Sequence, residues 1–167
     1  SYTASFTLTQ SFSGDEGMCG VAIYFEDMAS NAGATHRTVT SGHKVMIDMT
    51  VPTLPRVNIV ASNSADATRA NVGDRITLSI TASEQILEPV VTIATQLATV
   101  SSSGATSWVA AYTMNDNAVE GPVRISVGYV DHAGNIGRAV EDTTDSSVVT
   151  IDMSAPTLIS VSIASDN

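Results

Sequence analysis

The sequence predicts an all-β chain of tandem two-sheet sandwich domains, with about seven antiparallel strands in each domain. Apolar residues make up 43% of the 167 residues and aromatic residues only 5%, and the abundance of Val, Ile and Thr favours strands over helices. Apolar residues alternate with small or polar ones along several short segments, as they do in half-buried strands. Turn-forming residues separate these segments every 8 to 12 residues, which is the spacing of a sandwich.

Seven strands are predicted in one complete unit, and four turns punctuate them. The strands are, in order, 56–62, 75–82, 89–94, 97–101, 107–114, 122–130 and 147–152. The turns contain residues that tolerate tight or left-handed backbone and lie at 71–74, 101–104, 115–117 and 133–135. The alternating apolar residues form the predicted core: Ile76, Leu78 and Ile80; Trp108, Ala110, Tyr112 and Met114; Val123, Ile125, Val127 and Tyr129.

The chain repeats itself at a shift of 104 residues. Residues 17–63 align with 121–167 without a gap and are identical at 16 of the 47 positions, where about three identities are expected by chance. We therefore predict that 1–49 is the C-terminal part of one unit, 50–153 is a complete unit and 154–167 is the first strand of the next. On this interpretation the chain is a piece of a longer protein.

Charge and composition disfavour several partners. The formal net charge is −10, with Lys44 as the only lysine beside six arginines, so the sequence predicts no surface for nucleic acid or for anionic lipid. No apolar run reaches the roughly 18 residues that span a bilayer, and no membrane insertion is expected in this segment. Cys19 is the only cysteine, which excludes an internal disulfide. We expect a buried thiol there, with an intermolecular bridge as the alternative.

Catalytic motifs are missing from the sequence. There is neither a Gly-x-Ser-x-Gly nucleophile motif nor a phosphate-binding glycine loop, and the three histidines lack metal-ligand spacing. The acidic loop residues could be read as paired catalytic carboxylates, but solvated charge is the preferred interpretation: Asp15, Glu16, Glu141, Asp142 and Asp145. We predict that the chain is not an enzyme.

The repeated acidic and amide residues leave two interpretations open. Short polar side chains at a strand corner can hydrogen-bond the local backbone, which is the preferred reading and requires no cofactor. The alternative is calcium, which takes six to eight oxygen ligands from carboxylates, amides and carbonyls. The candidate calcium ligands are Asp27, Asn31, Asp48, Asp131, Asn135 and Asp152.

A proline recurs where one unit is predicted to run into the next. Pro52 and Pro156 occupy the same place in the two copies, and no flexible Gly-Ser run accompanies them. Because proline fixes its own backbone, these residues predict a short, stiff junction between successive domains.

Several motifs together resemble a known family. They are GDRITLSITASE, PVVTIATQLATV, SWVAAYTM, EGPVRISVGYVDHAGNIG and VVTIDMSAPTL, and they resemble the bacterial-type immunoglobulin-like repeats of large extracellular surface proteins. The resemblance covers the whole chain. It implies an immunoglobulin-like sandwich, a cell-surface or extracellular location, and a role as the stalk of an adhesin or as a filament. The implied partners are neighbouring repeats and other copies of the protein. The alternative role is an adhesion or ligand-binding module that acts through calcium or through its loops.

Overall fold

A computed structural model describes residues 3–5, 7 and 16–165. Across these residues the regular secondary structure is all β, and no helix is present that could cross a membrane. The strands are β1 (Gly17–Met18), β2 (Met46–Ile47), β3 (Arg56–Ala61), β4 (Arg69–Ala70), β5 (Arg75–Thr81), β6 (Val90–Ile93), β7 (Gln96–Leu97), β8 (Thr99–Ser102), β9 (Ser107–Thr113), β10 (Gly121–Pro122), β11 (Ile125–Gly128) and β12 (Thr150–Ile151).

The chain divides into two compact units, Ser1–Thr50 and Val51–Asn167. In the first unit β1 pairs antiparallel with β2, and its described residues include no buried side chain. Cys19 is exposed, so the prediction of a buried thiol is wrong. The reason is that burial needs a packed core around the strand, and the described part of this unit has none.

The strands described in the second unit form three sheets. Strands β3, β5, β9 and β8 make a four-stranded sheet, and β11, β6 and β7 make a three-stranded sheet; both are antiparallel throughout. In the third sheet β12 lies between β10 and β4 and pairs antiparallel with β10 but parallel with β4. The predicted all-β class is confirmed, and several antiparallel sheets around one core are consistent with a β-sandwich.

The core lies between the inward faces of the four-stranded sheet and the sheet of β11, β6 and β7. On β5, Ile76, Leu78 and Ile80 are at most 1% exposed, because their alternation points all three to one face. On the other sheet Val91 and Val127 are fully buried and belong to the same apolar cluster. Full burial of one such side chain stabilises the fold by about 1.5–3 kcal/mol.

The structure differs from the predicted strands where the chain changes sheets. The predicted strand 122–130 is broken, since β10 pairs with β12 whereas β11 pairs with β6. The predicted strand 97–101 is divided at Ala98, whose side chain is buried. Strand 147–152 shortens to β12, and β4 was not predicted. Trp108 and Tyr112 pack against the core but are only half-buried.

The two units share backbone pairings at a shift of 104 residues. Gly17 lies opposite Ile47 as Gly121 lies opposite Ile151. Isolated bridges match in the same way: Ile23 with His36 and Val127 with Val140, Glu26 with Ala32 and Val130 with Ile136. The same local structure is thus formed twice, once exposed in the first unit and once against the core of the second.

The predicted last strand, 154–167, is described as far as residue 165. Residues 154–165 form no strand and are exposed. Their counterpart in the second unit, β3, is held by pairing with β5.

Candidate functional site: an aspartate turn and the chain junction

Asp131 organises the turn that follows β11. Its Oδ1 accepts hydrogen bonds from the backbone N–H groups of Ala133, Gly134 and Asn135 at 2.8, 2.7 and 2.8 Å, and its Oδ2 accepts from Asn135 Nδ2 at 2.8 Å. Gly134 has a φ of 96°, a conformation that favours glycine. The carboxylate therefore serves as the hydrogen-bond acceptor for three consecutive backbone N–H groups in the turn.

The buried position of Asp131 is compatible with a charged carboxylate. The residue is only 1% exposed, and burial pushes the pKa of its carboxyl upward. The hydrogen bonds from Asn135, Gly134 and Ala133 outweigh burial and bring the pKa below its ordinary value. The charge is satisfied inside the turn, because hydrogen bonds to the charged form favour it.

The first unit contains the same turn on its surface. Asp27 Oδ1 accepts from the N–H groups of Ala29 and Asn31 at 2.8 and 2.9 Å, and Asp27 Oδ2 accepts from Asn31 Nδ2 at 2.8 Å. The hydrogen bonds of Asn31 lower the pKa of the Asp27 carboxyl. Both candidate Asp–Asn pairs are therefore brought together, and in both the amide donates to the carboxylate.

The other two candidate calcium ligands directly follow β2 and β12 and accept hydrogen bonds from nearby backbone. Asp48 Oδ1 accepts from the N–H of Thr50 at 3.1 Å. Asp152 Oδ1 accepts from the N–H of Ser154 at 3.3 Å, and its Oδ2 lies 3.4 Å from Arg69 Nη1. Each aspartate thus accepts a hydrogen bond from the backbone N–H group two residues later in the chain.

One acidic neighbour of the Asp131 turn was missed by sequence reasoning. Carboxylate oxygens of Glu84 and Asp131 lie within 4.8 Å of each other. The segment before β6 runs beside the turn, with Ile86 bridged to Asp131. Glu84 lies outside the aligned blocks, so the repeat gave no signal for it.

Two glutamates that bind the residues after β2 and β12 were also missed as site residues. Glu16 Oε1 accepts from the N–H of Met49 at 2.7 Å and from Thr50 Oγ1 at 3.0 Å. Glu120 Oε1 accepts from the N–H of Met153 at 2.8 Å and from the Ser154 hydroxyl at 2.9 Å. The two glutamates are 104 residues apart and directly precede the aligned blocks. The presence of glutamate at both positions was the signal in the sequence that could have identified them.

The second unit fixes the residues that follow the junction. Pro52 is fully buried. The N–H of Thr53 donates to Ser83 Oγ at 2.9 Å, and the N–H of Ser83 donates to the Thr53 carbonyl at 2.9 Å. Pro156, in the segment 154–165, is exposed. The two prolines predicted to play one role thus lie in different surroundings in this chain.

No protein-family model, curated protein or solved structure matches the chain. Among the described residues, carboxylates hold the backbone of two turns and of the segments that follow β2 and β12.

Proposed function

We propose that the chain is a segment of a long extracellular surface protein, in which immunoglobulin-like repeats follow one another to form an adhesin stalk or a filament. The observation that carries the proposal is the junction, because both of its sides are anchored. Met49 and Thr50 are held by Glu16 within the first unit. Pro52 and Thr53 belong to the second.

Only Val51 lies between these anchored residues, and it is exposed. A flexible tether needs a run of residues whose backbone dihedrals are free. One free residue beside a proline, whose φ is fixed, gives the chain little freedom to bend. This supports a stiff connection between successive units.

The repeated pairings support an array of similar units. The register of β1 with β2 recurs in β10 with β12, and the Asp27 turn recurs as the Asp131 turn. A domain that is used many times in a row needs the same end structure each time, so that each unit joins the next in the same way.

The net charge of −10 suits an extracellular array. Charge of one sign keeps a long polymer soluble and its neighbours apart. The proposed partners are neighbouring repeats of the same protein and, in a filament, other copies. No nucleic acid partner is proposed.

Small-angle X-ray scattering on tandem proteins tests the proposal. Joining copies of residues 50–153 recreates the natural Met-Thr junction, so proteins of one, two and four copies can be compared. We expect the maximum dimension to grow by about 40 Å per copy, as domains stacked along their strands would give. The control carries an eight-residue Gly-Ser insertion at each junction and should show shorter average dimensions per residue. A compact four-copy particle would overturn the proposal.

The second candidate function is calcium-dependent adhesion or ligand binding. The specific observation in its favour is the approach of the Glu84 and Asp131 carboxylates to within 4.8 Å, since calcium prefers carboxylate oxygens. Calorimetry with calcium and thermal unfolding with a chelator test it. A binding heat that disappears in Glu84→Gln would support this role. Absence of heat together with an unchanged unfolding temperature would remove it.

A further inference from the structure

Each unit has a glutamate that reaches across to the residues that follow its last strand, β2 in the first unit and β12 in the second. Glu16 lies 33 residues before Met49, and Glu120 lies 33 residues before Met153. Both carboxylates accept one backbone N–H and one side-chain hydroxyl. The hydroxyl is kept although the residue changes from Thr50 to Ser154.

The backbone next to each glutamate is built for this reach. Gly17 and Gly121 follow the glutamates and have φ values of 117° and 122°, which side chains of L-residues rarely adopt. Each glycine also pairs in register with the isoleucine two residues before the clamped methionine: Ile47 and Ile151. In both units, the backbone conformation at this glycine therefore places the glutamate carboxylate beside the residues that follow the last strand.

We propose that Glu16 and Glu120 are junction clamps, which fix the direction in which the chain leaves each unit and limit bending at the junction. The inference rests on the proposed stalk or filament and names the positioning residues of its junction. Asp48 holds Thr50 from the other direction, so removal of the glutamate frees the Met49 amide without releasing every local bond.

The chain contains its own matched control. Glu16 clamps the residues that lead into the second unit, whereas Glu120 clamps those that lead into the exposed segment 154–165. Glu16→Ala is therefore expected to loosen the connection between the two units. Glu120→Ala removes the same two hydrogen bonds but leaves that connection unchanged.

Electron paramagnetic resonance can measure the distribution of distances between the units. The exposed Cys19 provides the first spin-label site, and Ala105→Cys, at an exposed position, provides the second. We expect Glu16→Ala to widen the distribution at least twofold and Glu120→Ala to leave its width unchanged. Glu16→Gln, which keeps an acceptor oxygen, should give an intermediate width.

Hydrogen exchange supplies the local readout in the same proteins. The amide of Met49 should exchange at least tenfold faster in Glu16→Ala, and that of Met153 in Glu120→Ala. Unchanged exchange of these amides would overturn the clamp. Faster exchange without a wider distance distribution in Glu16→Ala would also overturn it.

The clamp and the stalk can fail separately. A four-copy tandem protein with the Glu120→Ala change in every copy that stays as long as the unmodified one would overturn the clamp alone. A compact unmodified tandem protein would overturn the stalk, whatever the exchange rates show.

Discussion

The ring of Tyr129 lies directly over Gly137, across the turn that Asp131 organises. A Cβ atom added to Gly137 would sit 2.1 Å from Cε2 of the ring, and the N–H of Gly137 donates to the Tyr129 carbonyl at 3.1 Å. Phe25 covers Gly33 in the same way, again at 2.1 Å. A glycine with no side chain gives the aromatic ring a flat surface on which to pack, which accounts for the repeated glycine.

Gly137→Ala should destabilise the second unit by about 1–3 kcal/mol, the usual effect of overpacking a core. Tyr129 is only 7% exposed, so its ring has little room to move away. Urea unfolding followed by fluorescence of Trp108, the only tryptophan, measures the change. When Tyr129 is first replaced by Ala, the added effect of Gly137→Ala should fall below about 0.5 kcal/mol. Equal effects in both backgrounds would show that the ring is not the cause.

The framework of the second unit was predictable from its patterns, and its sheet changes were not. Alternation located β5 and the inward face of β11, because burial of one face leaves a period-two signal. Strand β4, at Arg69–Ala70, is too short to carry a pattern. The break between β10 and β11 depends on which distant strand each half pairs with, and local sequence does not specify that choice.

Asp131→Ala should destabilise the second unit by about 2–3 kcal/mol, since it removes the charged acceptor of three backbone N–H groups and of the Asn135 side-chain amide. Asp131→Asn keeps one oxygen and should lose less. The matched control is Asp27→Ala in the first unit, which should leave the urea midpoint reported by Trp108 unchanged. A wild-type midpoint in Asp131→Ala would contradict the structural role of this carboxylate.

Acid should weaken the tie between β3 and the loop before β12. Asp145 accepts from the N–H of Ser147 at 3.1 Å and from Asn58 Nδ2 at 2.7 Å. The hydrogen bonds of Ser147, and then that of Asn58, lower the pKa of its carboxyl to about 2, compared with about 3.9 in an unfolded chain. A lowered folded pKa contributes stability that is present above about pH 4 and is lost as the pH falls to about 2.

Urea midpoints measured between pH 5 and pH 2 test this assignment. The wild-type midpoint should decrease as the pH falls, and the decrease should be smaller in Asp145→Asn, which cannot titrate there. Asp27→Asn is the control, because the pKa of the Asp27 carboxyl is also lowered but the residue lies in the first unit. Parallel curves for the wild type and Asp145→Asn would contradict the role of Asp145.

The two junction prolines should respond differently to substitution. Pro52→Ala removes a fully buried ring and should destabilise the second unit by about 1–2 kcal/mol. Pro156→Ala changes an exposed residue and should shift stability by less than about 0.5 kcal/mol. Urea unfolding reported by Trp108 compares them directly. Equal losses would mean that burial in the second unit does not set the role of Pro52.

The candidate site was only partly predictable. Repetition located both Asp–Asn turns, and the hydrogen bonds show that these residues organise backbone. Glu16 and Asp145 are exposed, as expected for solvated loop charge, but their hydrogen bonds were not predictable. Glu16 binds Met49, 33 residues away, and Asp145 binds Asn58, 87 residues away. Bonds between residues so far apart in the chain leave no local pattern.

Residues 16–50 and 120–154 are two copies of one structural piece, with the same backbone pairings in the same register. Each buried apolar residue in the second copy has an apolar counterpart in the first: Val21 for Ile125, Ile23 for Val127, Phe25 for Tyr129, Val45 for Val149 and Ile47 for Ile151. The most direct test is a chimera in which residues 51–119 are followed by residues 16–50 in place of residues 120–154. Its urea unfolding is compared with that of the natural segment 51–154. We expect one cooperative transition reported by Trp108, with residues 51–119 alone showing none. A chimera that is unfolded in buffer would show that the two segments are not equivalent.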